Sequence, residues 1–266
     1  MKADSPLRRG AVKRRGGFRK EGQAMNISIS KTPLEMGKVA AEKVITLINE
    51  AIEKQGYARM MVSTGQSQFE FFENLIASDL PWEKIELFHL DEYIGIPESH
   101  KASFRKYLKE RFIEKVKGAT MNYISGEGDV DAEIKRISSI IREKPVDIGV
   151  IGIGENAHIA FNDPPADFDT TDTYAVVNLD EGCRNQQVRE GWFPTFEDVP
   201  KQAISVTVYE ILRCSTVVSI VPHAVKAKAI HDTVKATKAD NNIPATALLD
   251  HPDWYIYLDE ASASLL

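Results

Sequence analysis

The stretch VDIGVIGIG, residues 146–154, is the clearest indication of the fold in the sequence. It is a short apolar run rich in β-branched residues, and its last glycines leave it as a loop begins. Such a run is typical of a strand buried on both faces of a parallel sheet. Working outward, we predict further strands of this kind at Met60–Val62, Ile85–Leu90, Ala203–Val208, Thr216–Val221 and Trp254–Leu258.

Helical patterns separate these runs. Residues 33–55 place apolar side chains at helical spacing, with Lys and Glu between them. Other helices are predicted just after Ser67, at 103–116, at 131–143 and at 225–236. Strands that alternate with helices indicate an α/β fold, here a Rossmann-like open, mostly parallel sheet with helices on both faces. We expect residues 25–266 to form one domain.

The composition of the 266-residue chain is that of a globular protein, with 43% hydrophobic and 27% charged residues. No run approaches the roughly 20 apolar residues that a membrane span needs, so we expect no membrane partner. The two cysteines, Cys183 and Cys214, form neither a CxxC motif nor a zinc-ligand spacing. Their number suits a reducing compartment, and the predicted location is the cytoplasm.

Charge is distributed unevenly along the chain. Residues 1–24 hold eight Lys or Arg against two acidic residues, and the remainder holds 25 basic against 37 acidic residues. An acidic body argues against nucleic acid as a partner. The basic head lacks the apolar segment of a targeting peptide. We interpret it as a disordered leader, or as an upstream misassigned start before Met25.

Ligands of open α/β sheets bind outside the carboxyl ends of the strands. That rule selects Ser63–Ser67, Asp91–Glu92 and Gly152–Asp163. The first segment, STGQS, joins a strand to a helix, where unpaired backbone N–H groups and hydroxyls suit a phosphate. The alternative is that Ser67 only caps the helix that follows.

Two adjacent carboxylates, Asp91 and Glu92, end a predicted buried strand. Because neighbouring residues of an extended chain point to opposite faces, one of them can enter a site while the other faces away. A carboxyl group desolvated there would have a raised pKa and could act as a proton acceptor. The alternative is that Asp91 caps the following turn.

His158 lies in the loop GENAHIAFNDPP, residues 154–165. Asn156, two residues before it, and Asp163, five after it, can fix its tautomer for acid–base work. The alternative is a structural histidine. The other five histidines lack such neighbours and show no metal-ligand spacing, so we predict no metal site.

Residues 178–198 are polar and show no clear period. We interpret them as a long surface loop. Loops of that length in compact domains are often lids over a site.

Five stretches occur in an order that resembles the glucosamine-6-phosphate deaminase family, within the wider group that includes the 6-phosphogluconolactonases. They are STGQS (63–67), LDEY (90–93), GIGENAHIAFNDPP (152–165), VPHAVKAKA (221–229) and PATALLDHPDWYIYLD (244–259). The resemblance runs from about residue 30 to about residue 260, and HIAFNDP is its specific string. It implies conversion of glucosamine 6-phosphate to fructose 6-phosphate and ammonia, without a cofactor.

The resemblance also implies roles for single residues. Asp91 would be the base that moves a proton between C2 and C1 of the open-chain amino sugar. His158 would open the pyranose ring, Asp163 would orient His158, and Asn156 completes the implied catalytic set. The implied substrate-binding residues are Thr64, Gly65, Gln66, Ser67, Arg189 and Lys226, with Arg184 as a rival of Arg189.

The chain departs from the family's pattern around His158. The best-known deaminases have an aspartate at the position of Asn156 and a glutamate at that of Asp163, and Ala157 replaces a usual glycine. Asn156 cannot accept a proton as a carboxylate can, although it can still form hydrogen bonds. A non-catalytic sugar-phosphate-binding protein therefore stays an alternative.

A second alternative is a 6-phosphogluconolactonase-like hydrolase. That sister group typically has Glu-Arg after its strand-end aspartate and Thr-Ala-Ser after its histidine. This chain has Glu92-Tyr93 and Ile159-Ala160-Phe161 instead. The favoured partner is thus a small amino-sugar phosphate. Its epimer, and whether the chain forms a homo-oligomer, are left open.

Overall fold

A computed structural model describes residues 24–266 of the protein. The predicted leader, residues 1–24, lies outside the described residues except for Ala24, which already begins the first strand. The strands are β1 (Ala24–Ser30), β2 (Ala58–Val62), β3 (Ile85–His89), β4 (Asp91–Tyr93), β5 (Thr120–Asn122), β6 (Ile148–Val150), β7 (Tyr174–Asn178), β8 (Gln202–Val206), β9 (Thr216–Val221) and β10 (Asp253–Asp259).

The α-helices are α1 (Pro33–Gln55), α2 (Phe69–Ile76), α3 (Phe104–Arg111), α4 (Val130–Arg142), α5 (Glu181–Arg189), α6 (Val208–Ile211) and α7 (Ala227–Lys235). The ends of α1 follow from local chemistry. The Thr32 side chain accepts a hydrogen bond from the backbone N–H of Glu35, and Gly56 ends the helix with a φ of 85°. Within residues 24–266, no helix has both the length and the apolar character needed to cross a bilayer.

Seven strands form one sheet in the order β1-β10-β9-β6-β2-β3-β5, and every neighbouring pair is parallel. The predicted α/β fold with a mostly parallel sheet is confirmed. Because neighbouring strands run the same way, the carboxyl ends of β9, β6, β2 and β3 lie side by side at one edge. The residues that follow these four strands therefore meet there.

The helices cover both faces of this sheet, as predicted. Met60 and Val62 of β2 pack in a cluster with α1, α2 and α3. Met61, between them, packs in a second cluster with α4 and α7. This alternation is the period of a strand buried on both sides.

One of the predicted strands belongs to a second, smaller sheet. The predicted strand near Ala203–Val208 is β8, and it lies outside the main sheet, in a three-stranded antiparallel sheet of order β4-β8-β7. An apolar run does not reveal which strand it pairs with, and this was the cause of the error. Asp91 pairs with Ser205 at the start of β4, so it lies where the chain leaves the main sheet for the small one.

The interpretation of residues 178–198 as a long surface loop was wrong, because they contain the helix α5. Asp180 begins this helix by accepting a hydrogen bond from the backbone N–H of Cys183 at 2.5 Å. Its buried residues are mostly polar: Cys183, Arg184, Gln186 and Gln187. A helix with a polar buried face has no apolar period, and the sequence pattern therefore concealed it.

Candidate active site

One cavity of about 640 Å³ opens at the carboxyl ends of β9, β6, β2 and β3, and α5 forms one of its walls. Eight predicted site residues line it: Thr64, Gly65, Gln66, Ser67, Asp91, His158, Arg189 and Lys226. The other two, Asn156 and Asp163, do not line the cavity but contact the His158 segment from behind. The sheet therefore gathers at one place residues that are more than 160 positions apart in the chain.

Hydrogen bonds to the end of β6 hold the STGQS loop on one side, and its other side faces the cavity. Ser63 Oγ accepts a hydrogen bond from the backbone N–H of Gly152 at 2.9 Å and donates to the carbonyl of Val150 at 2.6 Å. Gly65 has a φ of 101°, which favours glycine. Ser67 makes no capping hydrogen bond to the helices that follow, so the alternative of a simple cap is not realised.

Lys226 supplies a cation to the same cavity. Only 8% of it is exposed, and no ion pair to it is found among residues 24–266. Burial lowers the pKa of Lys226, while the nearby carboxylates Glu155 and Glu190 act against that shift. A nearly buried ammonium without a salt bridge is suited to binding an anionic ligand.

Arg189 is the second cation, and its position separates it from its rival. Its guanidinium lies 2.7 Å from the carboxylate of Glu155, at the mouth of the cavity. Arg184 is buried instead, where it donates to the carbonyls of Phe196 and Val199. Arg184 therefore stabilises the segment after α5, and Arg189 is the arginine that lines the cavity.

Asp91 is a carboxylate in an apolar setting. It is 6% exposed, and burial, followed by the charge of Glu92, raises its pKa to about 8. Glu92 points the other way, and it accepts hydrogen bonds from Ser103 and from the backbone and side chain of Arg105. No turn hydrogen bond to Asp91 is found in the described chain, so its carboxylate is left for the cavity.

His158 is held by its loop and by one carboxylate. Its Nδ1 lies 3.0 Å from Asp163 Oδ1, a close contact that is not aligned for a full hydrogen bond. Burial acts to raise the pKa of Asp163, but its contacts with His158, Asn156 and Asp180 outweigh burial and lower it. Asp163 is therefore an anion that faces the imidazole.

The loop itself carries backbone strain. Ala157 and Ala160 have φ values of 65° and 49°, in the left-handed region that favours glycine. These two residues stand on either side of His158. Left-handed non-glycine residues persist where the surrounding structure fixes them, and such positions cluster at functional sites.

The Asn156 side chain is hydrogen-bonded to the backbone of His158 and to two carboxylates, and not to the imidazole ring. Its Oδ1 accepts from the backbone N–H of His158 at 3.2 Å. Its Nδ2 donates to Asp163 Oδ1 and to Asp180 Oδ2, both at 3.1 Å. The amide thus joins two carboxylates, which an ionised aspartate at this position could not do, because it has no N–H to donate and would add a third negative charge.

One group of potential metal ligands is present among the described residues. His158, Asp163 and Cys183 place ligand atoms within 4.8 Å of one another. Burial holds the pKa of the Cys183 thiol well above its usual range. Both oxygens of Asp163 already accept hydrogen bonds, from Asn156 Nδ2 and from the backbone N–H of Asp180, so the three residues fit a hydrogen-bonded cluster better than a metal centre.

Several cavity residues were not found from the sequence. From α5 and the turn after it come Gln186, Gln187, Glu190 and Trp192, and from elsewhere come Phe104, Glu155, Phe161 and His223. Gln187 is 7% exposed, and no hydrogen bond of its side chain to another described residue is found. The sequence signal that could have revealed this wall is Asp180 followed by Glu181, a pair typical of the start of a helix.

Comparisons with solved structures agree with the fold. A monomeric glucosamine-6-phosphate deaminase superposes with a TM-score of 0.83 at 26% identity, covering 90% of this chain and 99% of that one. A 6-phosphogluconolactonase from Thermotoga maritima superposes with a TM-score of 0.74 at 14% identity, over 89% of this chain and all of that one. The second likeness shows the fold alone.

Sequence comparisons are more specific. A profile of the glucosamine-6-phosphate isomerases/6-phosphogluconolactonase family matches residues 31–256, and the chain belongs to this family. The glucosamine-6-phosphate deaminase of Latilactobacillus sakei subsp. sakei is 37% identical over 77% of this chain and 86% of its own length. That of Streptococcus sanguinis is 34% identical over 91% of this chain and 99% of its own length.

Proposed function

We propose that the protein is an enzyme that converts glucosamine 6-phosphate and water to fructose 6-phosphate and ammonia. One observation carries the proposal: Asp91 and His158 line the same cavity as Lys226, a buried cation that has no ion pair within residues 24–266. The reaction needs a base, a group that opens the ring and a phosphate anchor. The relatives named above support the same activity.

The phosphate is assigned to the end of the cavity formed by the STGQS loop. Backbone N–H groups at a strand-to-helix joint bind anions, and Lys226 adds a charge-assisted hydrogen bond. Arg189 completes the site after it exchanges Glu155 for a phosphate oxygen. Anchoring at the phosphate places C1 and C2 of the sugar towards Asp91 and His158.

Ring opening is the step assigned to His158. Its Nδ1 is shut off from solvent and faces Asp163, so Nε2 is the ring nitrogen available to a substrate. Nε2 takes the proton from the C1 hydroxyl and returns one to the ring oxygen, which breaks the C1–O5 bond. The anionic Asp163 stabilises the imidazolium that forms between these transfers.

Isomerisation and loss of ammonia follow in the open chain. The Asp91 carboxylate removes the proton from C2 and delivers it to C1, while the C1 oxygen gains a proton and the nitrogen loses one. The C1=O double bond is thereby replaced by a C2=N imine. Water adds to that imine, and ammonia leaves. No electron acceptor is needed, so the chemistry requires no redox cofactor.

A coupled assay for ammonia release from glucosamine 6-phosphate tests the proposal, with hydrolysis of 6-phosphogluconolactone measured in parallel. We expect ammonia from the wild type and none from Asp91→Asn. Hydrolysis of the lactone without ammonia would favour the lactonase alternative. Sugar-phosphate binding without either reaction would favour the non-catalytic alternative that Asn156 raises.

The proposal also covers the binding partner and the cellular location. A small amino-sugar phosphate as the partner, and the cytoplasm as the location, form part of this proposal. The cytoplasmic expectation is supported by two buried, unpaired cysteines, Cys183 and Cys214.

A further inference from the structure

Asp180 makes three hydrogen bonds that connect separate parts of the active site. Its Oδ1 accepts from the backbone N–H of Cys183 at 2.5 Å and so caps α5. Its Oδ2 accepts from Asn156 Nδ2 at 3.1 Å. Its own backbone N–H donates to Asp163 Oδ2 at 3.2 Å. No catalytic or binding role follows for Asp180 from the motifs, since it lies in none of them.

These bonds form a continuous chain from the catalytic imidazole to the cavity wall. His158 Nδ1 contacts Asp163, Asp163 and Asn156 are hydrogen-bonded, and both are held by Asp180. Asp180 in turn begins α5, the helix whose far end carries Arg189. Asp180 therefore contacts both Asn156 and Asp163, which lie next to His158, and the start of the wall formed by α5.

We infer that Asp180 is a positioning residue for His158, acting through Asn156 and Asp163. This inference rests on the proposed function for its kinetic consequences, but the ring orientation it predicts is independent of any substrate. Asn156 donates its two N–H protons to two carboxylates, those of Asp163 and Asp180. The position of Asp163 therefore depends on Asn156 and, through it, on Asp180. Without the Asp180 carboxylate, Asn156 loses one acceptor. The backbone N–H of residue 180 still donates to Asp163, so a substitution acts on Asp163 through Asn156.

The plainer interpretation is that Asp180 is only a helix cap. Asp180→Ser separates the two, because serine caps a helix about as well as aspartate but has no second oxygen for Asn156. We expect Asp180→Ser to keep its melting temperature within about 2 °C. Its kcat should fall about tenfold while KM changes less than threefold, because the cap, and with it the wall that carries Arg189, is retained.

The matched control is Asp129→Ser. Asp129 caps α4 in the same way, by accepting from the backbone N–H of Ala132 at 3.0 Å, and it has no contact with the site. This variant should keep both kcat and KM. A double-mutant cycle with Asn156→Ala should be strongly non-additive, since either change breaks the same connection.

The decisive readout is the ¹⁵N NMR signal of the His158 ring in the substrate-free protein. Contact with Asp163 predicts that neutral His158 carries its proton on Nδ1 in the wild type. We expect a mixture of the two tautomers in Asp180→Ser and in Asn156→Ala. The second variant leaves the α5 cap intact, so the test holds even if Asp180→Ser fails to fold.

An unchanged tautomer in both variants overturns the inference, whatever their activity. Equal losses of kcat in Asp180→Ser and Asp129→Ser overturn it as well. If the wild type releases no ammonia but the tautomer shifts in the variants, the proposed function fails and the positioning role of Asp180 stands.

Discussion

The imidazole of His158 packs directly on the backbone of Gly154. A Cβ at position 154 would overlap the ring, with Nδ1 only 2.5 Å away. The backbone completes the contact, because the Gly154 N–H donates to the His158 carbonyl at 2.9 Å. Position 154 therefore requires glycine because the imidazole ring occupies the space of a side chain, and not because the backbone turns there.

Gly154→Ala should displace the ring without unfolding the protein, because a side chain can move more cheaply than backbone. We expect kcat to fall at least tenfold, while the binding of inorganic phosphate changes little. Gly152→Ala is the control, since its added methyl would meet no atom closer than 3.7 Å. If Gly154→Ala keeps the wild-type kcat, the placement of His158 is wrong.

The base sets the expected pH dependence. Burial raises the pKa of Asp91 to about 8, so below that pH most molecules hold it protonated. Only the carboxylate can accept the C2 proton, so kcat/KM should rise roughly fiftyfold from pH 6 to pH 8 and level off above about pH 9. Asp91→Asn should abolish the exchange of solvent deuterium into C1 of the product. A flat profile through this range would remove Asp91 from the role.

Lys226 should act on binding and hardly on turnover. Loss of a charge-assisted hydrogen bond to phosphate costs about 1.5–3 kcal/mol, so Lys226→Ala should raise KM roughly ten- to hundredfold. Lys228→Ala is the matched control, because that side chain is 79% exposed and, in the described part of the chain, pairs only with Asp232. Inorganic phosphate should inhibit the wild type competitively and the Lys226 variant much less. Equal KM values in the two variants would place the phosphate elsewhere.

In the proposed site, Glu155 competes with the substrate phosphate for Arg189. Breaking a partly exposed ion pair costs up to about 1 kcal/mol, and Glu155→Gln removes that cost together with a charge near Lys226. KM should therefore fall roughly two- to fivefold in this variant. Glu181→Gln, an exposed change at the start of α5, should leave KM as it is. A higher KM in Glu155→Gln would show that the carboxylate assists binding.

The basic leader remains a prediction, and the first strand refines its boundary. Ala24 pairs with Asp253 in β1, so a deletion should stop at residue 23. We expect the protein without residues 1–23 to keep its melting temperature and its kcat. Loss of several degrees, or of tenfold in activity, would give the segment a structural role.

The sequence was sufficient where function depends on strand ends. Apolar runs predicted β2, β3, β6 and β9, and the residues just after them include Asp91 and His158. It was insufficient where function depends on pairs that are distant along the chain. Asp180 meets Asn156 across 24 positions, and nothing in either segment alone indicates that contact. The polar buried face of α5 concealed the remaining wall, because hydrophobic periodicity cannot detect a helix whose buried side is amide and guanidinium.

The proposed activity is tested by ammonia release from glucosamine 6-phosphate at pH 8, by the wild type and by Asp91→Asn. We expect steady release by the wild type, competitive inhibition by inorganic phosphate, and no release by the variant. Equal rates in the two proteins, or no release by the wild type while 6-phosphogluconolactone is hydrolysed, would contradict it.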